Sequence, residues 1–120
     1  MGNSVSIIDA PLFCLNLQNI YIINTLPENK QNCLIKYTLP IDLETDIINK
    51  IDKNSKIVIY GINHKDKKPY YKFKQLQSLG YTNVFVYSGG LFEWILLNMI
   101  YGDKYFPLTS ECYNPFNINT

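Results

Sequence analysis

KIVIYGINHKDKKPYYKFKQLQSLGYTNVFVYSGG, residues 56–90, decides the fold. It opens on Ile57, Val58, Ile59 and Tyr60, a continuous apolar run of strand length, and a run without polar alternation is that of a strand buried on both faces. The residues from Gly61 to Lys68 are mostly polar, and Pro69 can open a helix because a first-turn N–H has no intrahelical partner to lose. Tyr70, Phe73, Leu76 and Leu79 then fall on one helical face, with Lys72, Lys74, Gln75 and Ser78 on the other and Gly80 as the stop. Asn83 to Tyr87 is a second strand of the buried type, and Ser88, Gly89 and Gly90 make a tight turn. Strand, crossover helix and strand form a parallel pair, since parallel neighbours need a connection that crosses back over the sheet.

Working outward, Leu91 to Ile100 reads as a helix apolar nearly all round and therefore covered on most sides. The chain after Gly102, with Pro107 and Pro115, reads as irregular and pinned by Tyr105 and Phe106. Upstream, Ile20 to Ile23 is a buried strand, and Cys33 to Leu39 reads as a further short one. A helix is expected from Asp42, whose carboxylate caps it, with Leu43, Ile47, Ile48 and Ile51 along one face and Asp52 to Ser55 ending it. Val5 to Ile8 is an edge strand and Pro11 to Leu17 a short helix. The sum is an α/β domain, a central mostly parallel sheet with helices on both faces, spanning 6–109 between an N-terminal segment 1–5 and an irregular tail 110–120.

The 120 residues suit one domain, and 47% hydrophobic with 18% charged residues fills a core and excludes disorder. A formal net charge of +1 gives no global pull on nucleic acid, so none is expected as a partner. All 11 basic residues are lysine, which excludes mechanisms that hold a phosphate or carboxylate in a guanidinium fork. Cys14, Cys33 and Cys112 are odd in number and widely spaced, with one histidine, His64, to join them. That pattern excludes a zinc finger and a disulfide scaffold and suits a reducing, cytoplasmic compartment; no metal or cofactor is expected. The longest apolar run, Leu91 to Met99, is too short for a bilayer and is interrupted by Glu93 and Asn98; no lysine precedes Lys30, as a secretory signal would require. Met1-Gly2-Asn3-Ser4-Val5-Ser6 fits the N-myristoylation pattern, with Gly2 as the acceptor. One such chain binds membranes marginally, and Lys65, Lys67, Lys68, Lys72 and Lys74 form the dense basic cluster that would add a second, peripheral contact; the plainer reading of the cluster is a solvated helix face.

The strand Ile57 to Tyr60, the loop, the helix ending Leu76-Gln77-Ser78-Leu79-Gly80-Tyr81, then Thr82 to Gly90 and Trp94 resemble the rhodanese-like domain family. They are similar to its strand, active-site loop, helix, G-[FY]-x-x-V-x-x-x-x-G-G segment and following tryptophan. The motif match covers Ile57 to Trp94. Upstream, Ile20 to Thr25 stands where the family has a strand ending D-x-R, with Asn24 and Leu26 near those polar positions, and Cys33 to Pro40 where it has a G-H-I-P-G-A-type segment. The resemblance implies sulfur transfer by a cysteine at the head of the loop, its thiolate held by backbone N–H groups, the helix dipole and usually an arginine. Counted from the strand that position is Gly61, and counted back from Gly80 it is Asn63; no cysteine, serine or threonine occurs from Gly61 to Lys68. The loop is longer than the sulfurtransferase type and resembles that of rhodanese-related dual-specificity phosphatases, whose chemistry also needs the cysteine and an arginine.

The expectation is therefore a rhodanese-like domain inactive as a sulfurtransferase, with no catalytic residue. Gly61, Ile62, Asn63, His64, Lys65, Asp66, Lys67 and Lys68 would form an anion-binding loop for a small oxyanion or a protein partner. Three alternatives stand beside it: sulfur transfer through a displaced Cys33 or Cys112, hydrolysis by His64 paired with Asp66, and a myristoylated membrane adaptor. Against these, a lone loop histidine is commonly solvated, an isolated cysteine is commonly a small buried hydrophobe, and Tyr60, Tyr70, Tyr71 and Trp94 suit a core or pocket wall better than a stacking platform.

Overall fold

The computed structural model describes residues 5–109. Within them Ile7–Ile8 (β1), Tyr21–Asn24 (β2), Ile57–Tyr60 (β3) and Val84–Tyr87 (β4) form one sheet in the order β1-β4-β3-β2, every neighbouring pair parallel. The helices are Ala10–Leu15 (α1), Ile41–Lys50 (α2), Lys68–Ser78 (α3) and Gly90–Tyr101 (α4). β3 is central, and all four of its residues are buried. Its pleat divides them: Ile57 and Ile59 pack with Ile48, Phe73 and Leu76 of α2 and α3, and Val58 and Tyr60 with Phe13, Leu91, Trp94 and Ile95 of α1 and α4. A strand covered on both faces must be apolar at every position, which is why the uninterrupted run identified it.

The α1 and α4 side is aromatic. Phe13, Tyr87, Trp94 and Phe106 stack edge-on or tilted with ring centroids 5.0–5.8 Å apart, and the Trp94 indole N–H donates to the Pro107 carbonyl at 3.0 Å.

Several expectations are corrected. Cys33 to Leu39 is not a strand; single bridges join Ile22 to Thr38 and Ile35 to Leu108, because Tyr37 sits at φ 74°, a left-handed conformation that breaks an extended chain. The segment is tied down instead by Tyr60, whose hydroxyl accepts the Ile35 N–H at 3.1 Å and meets Thr38 Oγ1 at 2.8 Å. α2 starts at Ile41 after Pro40, so Asp42 lies inside the first turn, where it complements the dipole without capping. Of the face expected on α2, Ile48 is buried while Leu43 is exposed. Leu79 follows the end of α3 and is exposed. Phe106, not Tyr105, anchors the chain after α4. α4 buries Leu91, Trp94 and Ile95 but leaves Met99, Ile100 and Tyr101 exposed, because six-residue α1 spans about half the length of twelve-residue α4 and cannot cover it. Among the described residues no helix is long and apolar enough to cross a membrane.

Candidate functional site

Ligands of open parallel sheets bind beyond the carboxyl ends of the strands, and the loop from β3 into α3 lies there. It is built around its own carboxylate. Asp66 Oδ2 accepts the Ile62 N–H at 3.0 Å and Oδ1 accepts the Lys68 N–H at 3.0 Å, while Asn63 accepts from Lys65 N–H through its side chain at 2.9 Å and from Asp66 N–H through its carbonyl at 3.1 Å. Two backbone N–H groups converging on one carboxylate is what a bound oxyanion would receive. Gly61 makes the room: a Cβ there would stand 2.2 Å from Asp66 Oδ2 and 2.9 Å from Pro69 Cγ.

The far side of the loop is clamped by α4. Leu91 N–H donates to the Gly61 carbonyl at 2.9 Å and Phe92 N–H to the Ile62 carbonyl at 2.8 Å, so unpaired donors of a helix start are used on loop carbonyls. Gly90, at φ +71°, permits the approach, since a Cβ on it would lie 2.8 Å from Asn63 N. The start of α3 is likewise engaged: Lys68 N–H goes to Asp66, Pro69 has none, and Tyr70 N–H goes to the Lys67 carbonyl at 3.1 Å. Of the donors in the loop expected to bind an anion, the Ile62 and Lys68 N–H groups are thus met by Asp66.

His64 is exposed, and both Asp66 oxygens are engaged by backbone, so the acid–base pair of these two is not assembled. Lys65, Lys67 and Lys68 are exposed, whereas Lys72 is paired with Glu44 at 2.9 Å, which removes one cation from the basic cluster. Cys14 is half-buried in α1; its thiol donates to the Pro11 carbonyl at 3.3 Å, and burial raises its pKa, opposite to what a nucleophile needs. It lines a cavity of about 440 Å³ with Tyr37 and Lys104, and no residue of the Gly61–Lys68 loop shares that lining. Cys33 packs against the core and is disulfide-bonded, which corrects the reading of it as an isolated cysteine, and in that state it presents no thiolate. Cys112 and Gly2 lie outside the described residues. Tyr60 and Trp94 belong to the core.

A second space adjoins the loop. A cavity of about 610 Å³ lies over the ends of β1 and β4, between α1 and the first half of α4, with His64 on its rim. The Tyr87 hydroxyl donates to Glu93 Oε1 there, and Glu93 folds over Gly89, where a Cβ would meet that oxygen at 2.3 Å. Burial first, then the hydrogen bond to Glu93 and its negative charge, push the Tyr87 phenol far above its ordinary pKa. Asp9 Oδ1 caps α1 by accepting the Leu12 N–H at 3.1 Å. None of Asp9, Tyr87, Ser88 or Glu93 was marked by its spacing; a glycine four residues before Glu93 at a helix start is the faint signal that a side chain folds back there.

The rhodanese-like domain model matches residues 17–97. The chain belongs to the rhodanese-like domain family. The match includes β2 and α2, where motif residues were too few to carry the resemblance and element order carried it instead. Solved structures agree on the fold. The full-length protein from Lactobacillus plantarum is 16% identical, with 88% of each chain covered and a TM-score of 0.66. The rhodanese-like domain of the Alr3790 protein from Anabaena sp., solved by NMR, is 21% identical over 92% of this chain and 91% of that one, with a TM-score of 0.58. The BH2092 protein from Bacillus halodurans is 17% identical over 78% and 73%, with a TM-score of 0.60. No curated protein matches the sequence.

Proposed function

We propose that this rhodanese-like domain does not transfer sulfur and serves as a module that binds a protein partner. The observation that supports the reading is the Asp66 carboxylate seated on the Ile62 and Lys68 N–H groups. Sulfur transfer needs a thiolate that attacks a sulfane sulfur and a cradle of donors to stabilise it. Gly61 and Asn63 supply no thiol at the head of this loop, and a fixed carboxylate repels both a thiolate and an anionic sulfur donor. The same charge argues for a protein partner over a free oxyanion, which would enter the loop only if Asp66 withdrew.

The test is transfer of sulfur from thiosulfate to cyanide by the natural chain and by one with Cys14, Cys33 and Cys112 all changed to serine. Both are expected at the rate of buffer alone. Turnover by the natural chain that disappears in the variant would overturn the reading and restore a displaced cysteine as the nucleophile.

A further inference from the structure

Cys33 carries a disulfide. The sequence holds three cysteines, and Cys14 is a free thiol, so the remaining cysteine is Cys112. Backbone pairing points the same way. Ile35 and Leu108 form an antiparallel bridge, flanked by the Lys36 N–H on the Pro107 carbonyl at 3.0 Å, the Thr109 N–H on the Leu34 carbonyl at 2.8 Å and the Leu34 N–H on Thr109 Oγ1 at 3.1 Å. Thr109, where the described chain ends, therefore stands beside Leu34, the residue directly after Cys33. Cys112 is three residues further along the sequence. Three residues reach at most about 10 Å, and a disulfide joins α-carbons roughly 4.4–6.8 Å apart, so the tether is long enough. Cys14 is engaged elsewhere: its thiol donates to the Pro11 carbonyl, and burial disfavours the thiolate that would have to attack a disulfide.

We propose that Cys33 and Cys112 form a reversible disulfide that clasps the chain after α4 to the segment 33–39, and that a dithiol reductant opens it. A thiolate of the reductant attacks one sulfur of the pair, the S–S bond breaks and a mixed disulfide forms. The second thiol of the reductant then displaces that sulfur, so two electrons and two protons end on Cys33 and Cys112 and the reductant leaves as its own disulfide. Closure is the reverse exchange with a disulfide oxidant such as oxidised glutathione. Cys33 is half-buried, which leaves its sulfur within reach of a reductant. Where thiols are kept reduced, disulfides of this kind are transient and redox-sensing. The clasp acts on a segment held by few other contacts: the Tyr60 hydroxyl on Ile35 and Thr38, and the short pairing with Pro107 to Thr109. Those hydrogen bonds remain after reduction, but the ends of a long loop are no longer joined, so the pairing opens more often.

The experiment equilibrates the full chain in oxidised glutathione or in dithiothreitol, blocks free thiols with N-ethylmaleimide and maps the peptides by mass spectrometry. After oxidised glutathione, one blocked thiol is expected, Cys14, together with a cross-linked pair of peptides that carry Cys33 and Cys112. After dithiothreitol all three cysteines are blocked. Amide hydrogen exchange on the same two states reads the clasp: the Lys36 and Thr109 amides should exchange about tenfold or more faster in the reduced chain. Cys112→Ser should show the fast exchange in both buffers, and Cys14→Ser should keep the difference between them. A Cys14 to Cys33 cross-link, a cross-link between two chains, glutathione capping Cys33 and Cys112 separately, or three blocked thiols after the oxidised buffer would overturn the pairing. Equal exchange of Lys36 and Thr109 in the two states would overturn the clasp.

Discussion

Two spaces adjoin at the carboxyl ends of β3 and β4, and the chain finishes them in opposite ways. Over β3 Asp66 accepts the Ile62 and Lys68 N–H groups, and the Gly61 and Ile62 carbonyls are met by the first turn of α4. Over β4 the turn is short, Glu93 folds back on Gly89, and a cavity of about 610 Å³ with apolar walls remains beside it. At the end of β3 a side chain of the loop itself meets two backbone donors, and a cavity lies one strand over. The lesson is that a carboxylate within a loop can satisfy backbone donors at the end of one strand while space remains at the end of its neighbour.

α4 is the wall common to both spaces, so its anchor gives the largest effect. Trp94 is fully buried among Phe13, Tyr87 and Phe106, and Trp94→Ala should cost about 3–5 kcal/mol in urea unfolding while disturbing amides of loop and cavity together. Next, Gly61→Ala forces a Cβ into Asp66 and should cost about 1–3 kcal/mol. Pairing it with Asp66→Gly removes the carboxylate that the Cβ meets, so the double variant should be more stable than the sum of the single effects, whereas additivity would show that the two do not touch.

The tyrosines that end the two strands sharpen the contrast, since Tyr60 and Tyr87 stand opposite each other in register. Tyr60→Phe leaves the buried Ile35 N–H without its acceptor and should cost about 1–3 kcal/mol; Tyr87→Phe frees Glu93 to solvent and should cost about 1 kcal/mol or less. Burial raises both phenol pKa values, so above pH of about 10 the unfolded chain loses these protons first. The folded state then binds more protons, and stability, intact below that pH, falls as pH rises. Chemical unfolding at a series of alkaline pH values should show this fall, and a shallower one in either phenylalanine variant.

The sheet was readable because residues buried on both faces leave no polar position to confuse the pattern, as in Ile57 to Tyr60. The parallel pairing of β3 with β4 followed from the crossover between them. The segment 33–39 misled because Leu34 and Ile35 are apolar and buried, yet burial there comes from a turn at Tyr37 and from Tyr60. The exposed end of α4 was hidden for another reason: an all-apolar helix states what it could bury, not how much neighbouring helix exists to bury it. In the loop, Asp66 two residues before Lys68 is an Asx-turn spacing, so one of its hydrogen bonds was readable. Its second bond, back to Ile62, depends on the loop folding over, which local spacing does not encode.

The central claim is that Asp66 occupies the place of an oxyanion. Sulfate titrated at low ionic strength into the natural chain and into Asp66→Ala, with the Ile62 and Lys68 amides followed by NMR, tests it most directly. The account predicts that these amides stay still in the natural chain and shift saturably in the variant, where the two donors are released and the carboxylate is gone. A natural loop that responds to sulfate as strongly as the variant would contradict it.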